Sequence, residues 1–375
     1  MYRHVRDSAG QERIPPDMSG EKFFCDCKGV SAAKAHIFHI SSKAAPAGMI
    51  RGADTGGTMI RSLLSCLLML QVLLFSLQVA TVQARADAAT EYQIQTFPLE
   101  RNGVALHLQR LAVAGTQPQR QILLVHGLTY SSHEFDVNYA DYSLARYLAA
   151  RGFAVWTFDV AGYGESQEVE DGFMPNSDYA AEDAAAAAAE ILKVSGQKKL
   201  DVLGWSWGTV TSSRFVARHP EMVKKLVLYA PIMVGLGAAE VKVPFNHNTW
   251  LHAAGDFQTT KDGAIDYTIV DPQVVAVFQS NCWRYDKDSS PNGGRRDLLV
   301  SAETPLIDPA AIRVPTLVIG GDKDPYLNLD SMRAAMSKLP SGSKLEIMPG
   351  AAHAMMMEKP YYKEFRQKVV EFLER

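Results

Sequence analysis

Cysteine is scarce in this chain, and its placement excludes a disulfide framework. Of the four cysteines, Cys25, Cys27 and Cys66 lie near the start and only Cys282 lies in the long remainder, where it has no partner. The Cys25-x-Cys27 spacing, with only His36 and His39 nearby, falls short of the paired C-x2-C of a structural zinc site. Also missing are a G-x-G-x-x-G opening a first βαβ unit and any run of metal ligands at a recognised spacing, so neither a nucleotide cofactor nor a metal is expected. No repeat of roughly 20 to 50 residues is visible, which excludes solenoids and propellers. Positive charge is short as well. Residues 1–86 hold 10 Lys and Arg against 6 Asp and Glu, which leaves 28 against 35 for the remaining 289 residues, a net of −7. With no basic cluster, that balance excludes nucleic acid and anionic membrane as partners. Apolar residues, by contrast, make up 47% of the chain, enough for the core of one large domain without staples.

The longest apolar run decides the compartment. Arg61 precedes an apolar stretch from Leu63 to Ala80, which ends in Ala84-Arg85-Ala86, the basic start, apolar middle and A-x-A end of a secretory signal. Such signals stand at an N-terminus, yet 58 residues precede Met59 here. Translation from Met59, or from Met49, accounts for this. Residues 1–58 fit that account, since they are rich in Gly, Ala, Ser and Lys, hold no helical or strand period, and read as a disordered or untranslated extension. Residues 59–86 are then the signal peptide, and a secreted or periplasmic domain starts at Asp87, or at Arg85 if cleavage follows Ala84. A rival reading keeps residues 63–80 uncleaved as a membrane anchor, but Ser65, Gln71, Ser76 and Gln78 dilute it. A lipoprotein signal is discounted, because Cys66 stands near the start of the run and not after it.

From residue 92 onward short β-branched runs alternate with helix-like segments. The strands expected are Val104–Leu111, Gln121–Val125, Ala154–Phe158, Leu200–Leu203, Leu226–Tyr229, Thr316–Ile319 and Lys344–Ile347. Several are apolar on both faces, as in a mostly parallel sheet flanked by helices. Helices are expected at about Ser143–Ala150, Asp178–Val194 and Thr209–Arg218, with the Ala184–Ala189 run read as a helix face packed close on the sheet. Residues 233–313 break the alternation with Pro244, Pro272, Pro291, Gly293 and Gly294, and read as a helical lid inserted over the sheet. Its Trp250, Phe257, Tyr267, Phe278, Trp283 and Tyr285 either line an acyl pocket or form the insertion's own small core, some doing each.

Gly204-Trp205-Ser206-Trp207-Gly208 follows directly on an expected strand and opens an expected helix. A sharp strand-to-helix turn of that kind thrusts its serine out of the sheet and needs glycines where the backbones crowd. A serine hydroxyl is a poor nucleophile at neutral pH and needs a base, itself held by a carboxylate. Acidic residues Asp322 and Asp324 follow strand Thr316–Ile319, and His353 follows strand Lys344–Ile347. Both loops leave the C-terminal strand ends, where ligands bind in open α/β sheets.

In this order, His126-Gly127, Asp159-x-x-Gly162-x-Gly164-x-Ser166, the serine elbow, Gly321-Asp322-Lys323-Asp324 and His353 resemble the motifs of the α/β-hydrolase superfamily, in its esterase, lipase and lactonase-like branch. The resemblance covers about residues 100 to 375. It implies an α/β-hydrolase fold with Ser206 as nucleophile, Asp324 as acid and His353 as base, Asp322 being the competitor for the acid. It also implies an oxyanion hole made by the N–H groups of Leu128 and Trp207. His126, Asp159 and Ser166 are expected to brace loops, and Tyr130 to His133 to form an exposed polar loop at the pocket edge.

Proline iminopeptidases resemble this elbow but carry H-G-G-P-G where this chain has His126-Gly127-Leu128-Thr129-Tyr130, and haloalkane dehalogenases and epoxide hydrolases place Asp at the nucleophile position. The expectation is therefore an exported serine hydrolase acting on a small-molecule ester or lactone, with no cofactor. Amide, thioester or carbon–carbon cleavage or acyl transfer by the same residues, and a non-catalytic ligand-binding protein on this fold, remain the alternatives.

Overall fold

The computed structural model describes residues 90–375 and the single residue Gln71. The expected extension, the signal-like segment and Cys25, Cys27 and Cys66 lie outside the described residues. In chain order the strands are β1 (Tyr92–Arg101), β2 (Val104–Val113), β3 (Arg120–Val125), β4 (Phe153–Phe158), β5 (Leu200–Trp205), β6 (Val223–Tyr229), β7 (Phe245–His247), β8 (Ser289–Pro291), β9 (Thr316–Gly321) and β10 (Lys344–Met348). The helices are α1 (Leu144–Ala150), α2 (Ser177–Ser195), α3 (Trp207–Arg218), α4 (Pro272–Asp286), α5 (Gly293–Leu298), α6 (Leu329–Ala335) and α7 (Tyr362–Glu374).

Eight strands form one sheet in the order β1-β2-β4-β3-β5-β6-β9-β10. β1 and β2 pair antiparallel, β2 meets β4 antiparallel, and every pairing from β4 to β10 is parallel. Side chains alternate along each strand between two cores. On β3, Ile122 and Leu124 join the core shared with α1 and α7, whereas Leu123 and Val125 join the core shared with α2 and α3. β3, β4 and β5 are therefore buried or nearly so along their whole length, which is why they read as unbroken apolar runs. The alanine run does what was expected of it. Ala184, Ala187 and Ala188 on α2 are fully buried, so the helix lies close to the sheet. Asn176 accepts from Asp178 N and Tyr179 N to start this helix, and Gly196, at φ 68°, ends it.

β1 was not among the expected strands. Its exposed edge alternates half-buried and exposed residues, and Pro98 interrupts its pattern, a residue tolerated only at a sheet edge. An ion pair fastens its end to α2: Arg101 Nε donates to Asp183 Oδ1 at 2.5 Å, and burial pushes the Asp183 carboxyl up to about 6.

Residues 233–313 leave the sheet after β6 and return before β9. The two ends are zipped together, with Gly235 N donating to Thr304 O and Leu306 N to Met233 O, each at 3.0 Å. The segment is not wholly helical: β7 and β8 pair antiparallel beside α4 and α5. Its aromatics divide. Phe257 and Phe278 are buried edge to face at 5.5 Å, whereas Trp250, Tyr267 and Trp283 are exposed. Cys282 on α4 is free and buried. Among the described residues no helix is long and apolar enough to cross a membrane.

Candidate active site

β5 delivers Ser206 to a turn that only a crowded backbone produces. Ser206 has φ 56° and ψ −123°, a conformation that costs a non-glycine residue on the order of 1–3 kcal/mol. The flanking glycines allow it. A Cβ on Gly204 would stand 2.3 Å from the carbonyl oxygen of Gly208, and one on Gly208 would stand 2.2 Å from that of Val125. Gly127 makes the third close approach, since its Cβ would meet Ser206 Cβ at 3.1 Å. Ser206 N donates to Tyr229 O at 3.0 Å and Thr209 Oγ1 donates to Ser206 O at 2.5 Å, so the strained residue is held from both sides.

The acid and the histidine meet across two loops. His353 Nδ1 donates to Asp324 Oδ2 at 2.7 Å, with Asp324 at 6% and His353 at 2% exposure. Asp322 does not share this contact. It lies in the same turn and accepts from Gly350 N at 2.7 Å, at the surface. Burial works against a charged His353, but the neighbouring Asp324 carboxylate and its hydrogen bond outweigh that and hold the imidazole above its ordinary value. The His353 carbonyl is pinned by Trp205 Nε1 at 3.2 Å and Tyr229 Oη at 2.8 Å. These two residues come from the strands that carry and flank Ser206, so histidine and serine share one corner of the sheet. Among the described residues no hydrogen bond joins Ser206 Oγ to His353, a contact that often tightens only with substrate bound.

Trp207 opens α3, where helical geometry leaves the first N–H groups without an intrahelical acceptor. Leu128 lies one residue beyond Gly127, in the loop after β3. Among the described residues neither Leu128 N nor Trp207 N donates to a protein acceptor. α5 spans both: Gly294 abuts the Trp207 indole, at 2.5 Å for an added Cβ, and Arg295 Nη2 donates to Thr129 Oγ1 at 2.8 Å.

His126 braces its loop. Val160 N donates to His126 Nε2 at 3.1 Å, which leaves Nδ1 to donate to Gly127 O at 2.9 Å. Burial lowers its basicity, and the neutral ring is the form both bonds need. Asp159 accepts from Ser132 N and Glu165 N, both at 2.9 Å, and Ser166 Oγ donates to Asp159 O at 2.5 Å, so these two also brace loops. The exposed loop expected over Tyr130 to His133 is instead largely buried, Tyr130, Ser131 and Ser132 being almost wholly covered. The reason lies far off in sequence: Asp286 at the end of α4 accepts from Ser131 N, Ser131 Oγ and Gly164 N at 2.8–2.9 Å. Burial pushes its carboxyl up to about 7.

Three further acidic residues were missed, and no local motif marks them. Glu134 is buried and accepts from Gly127 N at 2.8 Å, with its carboxyl held well above the usual range by burial. Glu358 accepts from Ala352 N at 3.1 Å and from Gln258 Nε2 at 3.0 Å, which holds the His353 loop. Asp256, from the 233–313 segment, is held up by burial and lies near enough to His353 for the two charges to act on each other.

Residues 116–360 match the family described as "Serine aminopeptidase, S33". Among relatives, a non-heme haloperoxidase of Rhodococcus erythropolis is 29% identical over 255 residues, 63% of this chain and 86% of that protein. A protein named uncharacterized carboxylesterase nap from Bacillus subtilis (strain 168) is 25% identical, over 66% of this chain and 78% of its own length. An epoxide hydrolase from Vigna radiata has a similar fold at 15% identity, with a TM-score of 0.53 over 75% of this chain and 98% of its own.

Proposed function

Since the chain belongs to the serine aminopeptidase S33 family of α/β-hydrolases, we propose that it is an exported serine hydrolase that cleaves a small carboxylic ester or lactone through an acyl-enzyme. The observation that carries this reading is the 2.7 Å bond from His353 Nδ1 to Asp324 Oδ2, on a loop tied to the two strands that bear and flank Ser206. With Nδ1 carrying the proton, Nε2 is the basic nitrogen. It takes the Ser206 proton as Oγ attacks the acyl carbon, and the Asp324 carboxylate stabilises the imidazolium that forms. The N–H groups of Leu128 and Trp207 receive the oxyanion, and His353 returns the proton to the leaving alcohol. Water then repeats the sequence to free the acid. The name of the Bacillus relative agrees with an ester substrate.

Hydrolysis of a short p-nitrophenyl ester by the chain from Asp87, together with fluorophosphonate labelling lost in Ser206→Ala, is the test. No labelling of the wild type would return the protein to the non-catalytic reading, and labelling that persists in the variant would place the reactive nucleophile at another residue. Amide cleavage is the second reading, favoured by the aminopeptidase in the family's description. Faster turnover of aminoacyl p-nitroanilides than of the matching esters would select it. Export rests on the signal-like residues 59–86, and N-terminal sequencing of protein recovered from the periplasm or medium tests it. A cytosolic chain starting at Met1 would refute it.

A further inference from the structure

Away from Ser206, three side chains that no spacing rule connects come together on the rim of the sheet. They are His107 on β2, His133 in the 3-10 turn Ser132–Phe135, and Glu165 in the loop after β4. One ligating atom of each lies within 4.8 Å of the others. His133 Nε2 stands 3.1 Å and His107 Nε2 3.4 Å from Glu165 Oε2. A tetrahedral ion with bonds of about 2.0–2.1 Å separates adjacent ligand atoms by roughly 3.3 Å, so both distances already match its edges.

The cluster without an ion is incompletely satisfied. The His107 side chain is 10% exposed, and its Nε2 is buried with no hydrogen-bond partner among the described residues, since Glu165 faces it without hydrogen-bond geometry. One carboxylate oxygen thus faces two ring nitrogens and bonds only one of them. A cation would engage all three groups at once.

The scaffold is stiff where a site needs it. His133 is stacked on Tyr285 with ring centres 3.3 Å apart, Ser166 Oγ accepts from His107 N at 2.9 Å, and Glu165 N donates to Asp159 Oδ2 at 2.9 Å. Only the Glu165 carboxylate, at 46% exposure, is free to swing, and the three side chains line a cavity of about 270 Å³ through which an ion can arrive. Asp159 is no ligand, because its carboxylate is 4.0 Å from His133 Nε2 and already accepts from Ser132 and Glu165.

We propose that His107, His133 and Glu165 bind one borderline divalent transition-metal ion, Zn²⁺ foremost, with its fourth position open to water. Two imidazoles and one carboxylate suit zinc or its neighbours and not Mg²⁺ or Ca²⁺, which require oxygen ligands throughout. The ion would fasten β2 and the loop after β4 to the loop that bears Leu128, and so stabilise the oxyanion side of the site without joining the chemistry.

The test is calorimetric titration of the chelator-stripped full chain with ZnCl2, run beside Glu165→Gln and His107→Gln variants whose fold is checked by circular dichroism. Cys25, Cys27, His36 and His39 are present in all three proteins, so the difference between them reports this site. One equivalent of Zn²⁺ should be lost in each variant. Saturating ZnCl2 should raise the wild-type melting temperature by several degrees, with no rise in the variants and none with CaCl2 or MgCl2. Equal zinc uptake and equal melting shifts in wild type and variants, or no uptake by the wild type, would overturn the proposal and leave Glu165 as an ordinary hydrogen-bond acceptor. Should His107→Gln fail to fold, Glu165→Gln, which alters only a half-exposed side chain, still decides.

Discussion

The loop bearing His126 and the loop bearing His353 both leave the C-terminal ends of parallel strands, and both histidines are buried. Their basicities nonetheless move in opposite directions. His126 lies between two backbone groups, a donor at one ring nitrogen and an acceptor at the other, so burial prevails and the ring stays neutral. His353 faces Asp324, and the carboxylate overcomes an equally severe burial. Depth in the protein therefore does not by itself decide whether a histidine favours its neutral or its charged form. The partner does, because a carboxylate stabilises the charged ring while a backbone pair is satisfied only by the neutral one.

Substitutions can break this contrast, and the most severe is at Ser206, the proposed nucleophile, which only one of the two loops would serve. Ser206→Ala should lower ester turnover by about 10⁵-fold or more while leaving the melting temperature nearly unchanged, as steady-state kinetics and calorimetry would show. Asp324→Asn removes what makes His353 different. It should lower kcat by about 10³ to 10⁴-fold, because the amide favours the wrong tautomer and cannot stabilise an imidazolium. Asp322→Asn, at a side chain that accepts from Gly350 N, should change kcat by less than about twofold. A reversal of those two effects would move the acid to Asp322.

At His126 the loss should appear in stability. His126→Leu leaves Val160 N–H and the Gly127 carbonyl buried without partners and should cost about 1–3 kcal/mol for each, read from denaturant midpoints. The smallest effect is the position of the acid limb of the pH profile. The proposed mechanism requires neutral His353, whose basicity is raised, so kcat/KM should rise with pH through a midpoint above the ordinary 6.5 and fall as pH drops below it. His126→Leu should leave that midpoint where it is. A midpoint that follows His126 would show that the two roles had been assigned the wrong way round.

β3, β4 and β5 were legible because they are buried on both faces, which writes an unbroken apolar run into the chain. β1 was not, since an edge strand half in solvent carries a diluted pattern. At the site, Ser206 and His353 were marked by turns whose glycines have no steric substitute, as Gly204 and Gly208 show. Glu134, Asp286 and Glu358 carry no such mark. Each is an acceptor for backbone N–H groups, Glu134 and Glu358 within their own connections and Asp286 from a loop far off in sequence, and a carboxylate of that kind looks in sequence like any solvated acid.

The amino-acid sequence alone determined the order of the seven expected strands and of α1, α2 and α3, the turn at Ser206 and the choice of loops that hold Asp324 and His353, because each depends on local periodicity or on backbone sterics within a few residues. Tertiary structure decided that Asp324 and not its neighbour reaches His353. It also decided that Asp286 buries the loop after Tyr130, and that His107, His133 and Glu165 face a common point. Those outcomes depend on distances between segments far apart in the chain, which are set only when the two cores close on either side of the sheet.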